Sequence, residues 1–201
     1  MSFPDRIAIA SRNPGKIREI RSICADWPVE WITWDERDGQ WPDVEETGAS
    51  YVENALLKAR SVADRFDVPA VADDSGIEVD ALGGAPGPRS ARYAGKEATD
   101  DENLRMLIRA VAGVPAAGRT ARYRCVAALA RPDGRTVWAE GMCEGSLMSK
   151  PRGVGGFGYD PIFVPAGWDQ TMAELPPEEK DRISHRGRAF RALKELLDRD
   201  R

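Results

Sequence analysis

The sequence predicts an α/β fold in which a mixed central sheet is flanked by helices, and three features lead there. In the first half, short apolar runs alternate with longer stretches whose apolar residues recur at helical spacing. Two of those stretches open with a capping-box pair, Ser50 with Glu53 and Thr99 with Glu102. In the second half, two strand-like runs flank a Pro-Asp-Gly turn, the pattern of a hairpin. The 201 residues suffice for one sizeable domain, and residues 1–201 are read as a single domain.

Ile7–Ala10 is a short apolar run bounded by polar residues and reads as a buried strand. The following SRNPGK, Ser11–Lys16, is a loop by its Asn-Pro-Gly content. Ile17, Ile20 and Ile23 then place a helix over Lys16–Cys24, and Val29–Trp34 reads as a second strand. Asp35–Glu46 is polar and turn-rich. From Ser50, a helix face is lined by Val52, Ala55, Leu56, Ala59, Val62, Ala63 and Phe66. Pro69 ends it, and Ala70–Ala72 begins a strand that should stop at the adjacent Asp73 and Asp74. After Thr99, Leu104, Leu107, Ile108 and Val111 mark another helix. Arg122–Ala130 and Thr136–Glu144 are the two arms of the hairpin. A glycine-rich segment, PRGVGGFGYDPIF, leads to a final helix carrying Phe190, Leu193, Leu196 and Leu197. The chain has no repeats, low-complexity tract or obvious linker.

Hydrophobic residues make up 42% and charged residues 31% of the chain, an ordinary globular balance. A net charge of −4 argues against binding a nucleic-acid backbone, although a few lysines and arginines can still converge on a small anion. Cys24, Cys125 and Cys143 are far apart and form no Cys-x-x-Cys pair, so neither a zinc site nor a redox motif is indicated. So sparse a set suits a reducing compartment. No signal-peptide core and no apolar run near the roughly 20 residues of a membrane span are present. The expectation is a soluble, cytoplasmic protein without a membrane partner.

Four loops concentrate groups suited to phosphate chemistry. Ser11–Lys16 follows a strand and opens a helix, whose first turn favours anions through its N–H groups and dipole. Its spacing is not that of a Walker A loop, and taken alone the loop reads first as a capped helix with a solvated lysine. Glu45 and Glu46 in EETG read alone as an acidic turn. Asp73 and Asp74 are costly at a buried strand end unless they hold a cation or are fully hydrogen-bonded, and an Asx-type turn is the alternative. The fourth group is split between GGFGYD, with Phe157 and Asp160, and EEKDRISHRGRAF, with Lys180, Ser184, His185 and Arg186. Co-occurrence of carboxylates, cations, an aromatic platform and glycines in an acidic protein fits a nucleoside triphosphate. Carboxylates hold Mg²⁺, cations neutralise phosphoryl charge, and an aromatic face stacks on a base.

Five segments, ASRNPGK, EETGASYVENALLKA, ADDSGIEVDALGGAPGPRSARYAG, GGFGYDPIF and EEKDRISHRGRA, resemble the inosine/xanthosine triphosphate pyrophosphatases in that family's order, most closely its bacterial branch. They span almost the whole chain. The resemblance implies hydrolysis of non-standard purine triphosphates, ITP, dITP or XTP, to the monophosphate and pyrophosphate. It also implies an elongated α/β fold with a cleft between two lobes, a homodimer and Mg²⁺ dependence. By motif, Ser11, Arg12, Asn13, Pro14, Gly15 and Lys16 would contact the triphosphate. Asp74 would be the general base and a metal-associated carboxylate, Asp73 would support the turn, and Ser75 would touch substrate. Phe157, Gly158, Tyr159 and Asp160 would stack on and hydrogen-bond the nucleoside. Lys180, His185 and Arg186 would complete the phosphate and base contacts. Glu46, or in second place Glu45, would join Asp74 on the metal. The first loop has Ser11-Arg12 where many members have Thr-Gly or Ser-Asn, which leaves the role of Arg12 open.

For a 6-oxo purine, donors from Arg186 or nearby backbone would meet an acceptor that adenine lacks, and a mismatch of this kind discriminates strongly. Two rival readings are a phosphohydrolase releasing orthophosphate stepwise and a nucleotide sensor that binds without turnover.

Overall fold

The computed structural model describes residues 3–36 and 41–199. Its strands are β1 (Arg6–Ile9), β2 (Glu30–Ile32), β3 (Ala70–Val79), β4 (Thr120–Ala130), β5 (Thr136–Leu147) and β6 (Phe163–Pro165). Its helices are α1 (Pro14–Ile23), α2 (Tyr51–Phe66), α3 (Asp100–Ala110), α4 (Pro177–Ile183) and α5 (His185–Arg199). The strands form one six-stranded sheet in the order β2-β1-β3-β4-β5-β6. β1 runs parallel to β2 and β3, whereas β5 and β6 are antiparallel, so the sheet is mixed as predicted. Residues 37–40, within the stretch read as turn-rich, lie outside the described residues.

The chain divides into two compact units, one of Met1–Asp74, Cys125–Gly141 and Arg186–Arg201, the other of Ser75–Arg124 and Met142–His185. In the first unit, strand alternation decides how the sheet is covered. Ile7 and Ile9 of β1 and Val71 of β3 pack with Ile17 and Ile20 of α1 and Phe190 and Leu193 of α5. The residues between them, Ala8, Ala70 and Ala72, pack with Ala59, Val62 and Ala63 of α2. Alanines on that face admit α2 close to the strands, while isoleucines fill the other. In the second unit, Ile77 and Val79 of β3 join Leu104 and Leu107 of α3, Tyr123, Phe163 and Ile183.

Local chemistry accounts for the helix ends. Asn13 caps α1, its side chain accepting from the Lys16 N–H, and Pro14 takes a position where the missing N–H costs nothing. Both predicted capping boxes form, at Ser50 with Glu53 and at Thr99 with Glu102. The hairpin turn closes with Arg131 N–H donating to Arg135 O and Gly134 N–H to Arg131 O. The three cysteines are free thiols and buried. Among the described residues, no helix is long and apolar enough to cross a membrane.

Two elements differ from expectation. The second strand ends at Ile32, and Trp34–Glu36 turns into a short 3₁₀ helix. More consequentially, β3 does not stop at the aspartate pair: it runs ten residues, through Asp73, Asp74, Ser75 and Gly76 to Val79. The Asx-turn alternative therefore fails, because the strand continues and the side chains that pair with the two carboxylates come from the helices rather than from local backbone.

Ser50→Ala removes one half of the α2 capping box. It should cost about 1 kcal/mol and lower the melting temperature by about 2–4 °C in a chain of this size, read by calorimetry.

Candidate active site

Strand alternation sends Asp73 and Asp74 to opposite faces of the sheet, where Asp73 meets α1 and α5 and Asp74 meets α2. Asp73 follows Val71 toward α1 and α5. Its Oδ2 accepts from Arg186 Nη2 at 2.8 Å and Nε at 3.2 Å, and lies 3.1 Å from Lys16 Nζ. Arg186, only 2% exposed, also donates through Nη1 to Glu19 of α1. Burial alone would raise the Asp73 proton affinity. The positive charges of Arg186, Lys16 and Lys58 outweigh it and hold this carboxyl well below the usual carboxylate range.

Asp74 follows Ala72 toward α2. Its Oδ1 accepts from Lys58 Nζ at 3.0 Å and its Oδ2 from Asn54 Nδ2 at 3.2 Å. The same Lys58 ammonium donates to Glu46 Oε1 at 2.7 Å. Here burial pushes the carboxyl above its ordinary value, Lys58 and Lys16 oppose it, and the nearby Glu46 adds to the rise. Burial would lower the Lys58 proton affinity, but Asp74 and Glu46 keep that amine charged. The two adjacent carboxyls are thus pushed in opposite directions.

Glu46 and Asp74 converge on one ammonium, which shows that a cation fits between them. Glu45 is exposed. Among the described residues, no group of three or more histidine, cysteine or acidic side chains is assembled for a metal. Two carboxylates, with the other positions left to phosphate oxygens and water, nevertheless fit Mg²⁺, which is commonly held in that way.

Around the first loop, Ser11 Oγ accepts from the Asn13 N–H, and Asn13 Oδ1 from the Lys16 N–H. Pro14 has no N–H, and the loop's Lys16 ammonium lies against Asp73. Arg12 donates to the Trp41 carbonyl at 2.6 Å and pairs with Asp43 at 3.5 Å, tying this loop to the segment that leads to Glu46.

The second unit holds the other predicted residues. Asp160, 4% exposed, accepts from Lys180 Nζ at 2.6 Å, from the Phe157 N–H at 2.9 Å and from Tyr123 OH at 3.2 Å. Lys180 Nζ lies 5.2 Å from the centroid of the half-buried Phe157 ring. Gly156 makes this arrangement possible. Its φ is +68°, and a Cβ there would sit 2.1 Å from Asp160 Oδ2 and 3.0 Å from Lys180 Nζ. His185 stacks on Tyr123 at 4.5 Å, Tyr159 OH donates to the Ser90 carbonyl, and the Gly158 N–H donates to Asp100. Ser75 is half-buried. A cavity of about 470 Å³ in this unit is lined by Asp80, Thr120, Arg122, Glu144, Ser146 and Trp168, and by none of the predicted site residues.

Sequence reasoning missed Lys58 and Asn54, and it gave Asp73 a turn. A signal for the first two was present: Asn54 and Lys58 lie four residues apart, hence on one side of α2, and Asn54 interrupts the apolar face that buries Ala55 and Ala59. The role read for Arg186 also meets a different geometry, since Nε, Nη1 and Nη2 all donate to Asp73 or Glu19.

Arg186→Leu leaves a fully buried carboxylate with Lys16 as its remaining close cation. Removing one member of such a pair should destabilise the protein by about 3–5 kcal/mol, read from denaturant unfolding, with Arg186→Lys recovering part of the loss.

Residues 7–196 match the family model described as the Ham1 family. A dITP/XTP pyrophosphatase of Streptomyces coelicolor is 50% identical over 190 residues, covering 94% of each chain. Among solved structures, a HAM1 protein from Coxiella burnetii superposes with a TM-score of 0.84 at 41% identity, covering 96% of this chain and 98% of that one. The Staphylococcus aureus Ham1 protein does so with a TM-score of 0.84 at 39% identity, covering 98% and 100%. A match along nearly the full length, in both sequence and fold, places this chain in the Ham1 family.

Proposed function

We propose that this protein is a Mg²⁺-dependent pyrophosphatase of non-standard purine nucleoside triphosphates, dITP, XTP and ITP. Water attacks the α-phosphorus, the bond from that phosphorus to the bridging oxygen breaks, and the nucleoside monophosphate and pyrophosphate leave. The observation that carries the reading is the β3 carboxylate pair: Arg186, Lys16 and Lys58 hold Asp73 ionised, while burial and the nearby Glu46 raise the proton affinity of Asp74 against the opposing lysines. Names borne by close relatives, dITP/XTP pyrophosphatase among them, support the same substrate class.

Asp74 takes the proton of the attacking water, a role suited to a carboxylate whose proton affinity is raised. Lys58 holds Asp74 and Glu46 together, and Lys16 offsets phosphate charge. Glu46 and Asp74 would hold Mg²⁺, which supplies charge neutralisation on the phosphate oxygens. In the second unit, Phe157 offers a face for stacking, and Asp160 with Lys180 offers groups for hydrogen bonding. A homodimer in the cytoplasm accompanies this reading through the family resemblance.

Asp74→Asn should leave the fold intact and reduce turnover of dITP by about 10²–10⁴; a folded variant with near-normal turnover would remove Asp74 from this role. For the wild type, pyrophosphate should appear from dITP and XTP, with little from ATP, and chelation of Mg²⁺ should stop it. Orthophosphate as the first product, or tight dITP binding without hydrolysis in Mg²⁺, would refute the reading.

A further inference from the structure

The geometry points to Asn54 as a positioning residue that sets the Asp74 carboxylate and the loop carrying Glu46 in one register. Resting on the function proposed above, the inference adds a residue to which that reading gives no part. Asn54 is 0% exposed, on the side of α2 that, apart from Lys58, buries apolar residues. A buried amide is retained at low cost only when its donors and acceptors are used. Both ends of this one are used, and they point to two different parts of the site. Nδ2 donates to Asp74 Oδ2 at 3.2 Å, and Oδ1 accepts from the Gly48 N–H at 2.8 Å.

Neither bond is a helix cap, because Ser50 and Glu53 already provide that function. Instead the amide joins strand β3 to the segment two residues beyond Glu46. Lys58, one turn further along α2, makes the matching link by donating to Asp74 Oδ1 and to Glu46. The two side chains act on different oxygens of Asp74. Lys58 can follow a moving carboxylate, since its ammonium ends a flexible stem. The short amide of Asn54 fixes the rotation of the carboxyl group, and so decides which lone pairs remain for a proton or a cation.

Gly48 supports this independently. A Cβ there would lie 2.5 Å from Asn54 Oδ1 and 2.8 Å from Glu53 Cβ, so the backbone approaches the amide more closely than any other residue would allow. The absence of a side chain at position 48 is what permits the short N–H to Oδ1 contact.

The test compares Asn54→Ser, too short to reach either partner, and Asn54→Leu, of similar size but without polar atoms, with the wild type. Measurements are dITP turnover, melting temperature and the crystal structure of the variant. If Asn54 positions Asp74, both variants lose about tenfold or more in kcat while KM stays within about threefold. The Asp74 carboxyl rotates, and Gly48 moves away from α2. A kcat within about twofold of wild type, or a decrease that only parallels a falling melting temperature, overturns the inference. So does a variant crystal structure in which Asp74 and Gly48 keep their places. The crystallographic result needs no turnover, and either variant suffices if the other fails to fold. A wild type that leaves dITP intact would sink the proposed function alone, and the position of Asp74 in the variant would still decide the case of Asn54.

Discussion

A carboxylate that is fully buried and must remain ionised organises the first unit. Asp73 sits in the middle of a sheet strand, where an unpaired charge would cost several kcal/mol even after relaxation. The fold answers with three cations, of which Arg186 and Lys16 are in direct contact. These contacts constrain much else. α1 must present Lys16 and Glu19, α5 must begin where Arg186 faces the strand, and Glu19 must accept the remaining arm of the guanidinium. The arginine also suits the position by geometry. Its planar fork reaches two carboxylates at once, which a lysine ammonium would do with less order.

The neighbouring carboxylate meets a different set of groups. Asp74 differs by one residue in sequence and by one face of the sheet in space. Its partners are a lysine that it shares with Glu46 and a neutral amide. Burial raises the proton affinity of both carboxyls, so the contrast between them comes from the greater positive charge that Asp73 meets and from Glu46 beside Asp74. Lys58 also offsets the mutual repulsion of Asp74 and Glu46. In the second unit, Lys180 and Asp160 repeat the motif of a buried ion pair, here beside an aromatic ring and a glycine that leaves it room.

Much of this was legible in the order of residues. The α/β class, both capping boxes, the hairpin and the C-terminal helix follow from interactions that close within a few residues, and all are present. The loops suited to phosphate chemistry could be singled out because they combine glycine, hydroxyl and charge in short segments. The length of β3 could not be inferred. Adjacent aspartates ordinarily break strands, and the groups that permit them here are contributed from positions 16, 54, 58 and 186. Asn54 could have drawn notice as a polar residue on an apolar face, but nothing local says where its amide points. Arg186 could be identified as a cation of the site, not as the counter-ion of Asp73.

The linear chain therefore settles the elements and the chemical inventory, since helix periodicity, capping and turn formation depend on neighbours within about four residues. It also settles that Asp73 and Asp74 face opposite ways, provided the strand continues, because side-chain alternation is a property of the strand itself. Whether the strand continues, and which cations each carboxylate meets, are decided by long-range contacts. A charge in a buried strand is stable only if its partners arrive from elsewhere, and those partners adjoin it only once the helices have packed on their own faces of the sheet.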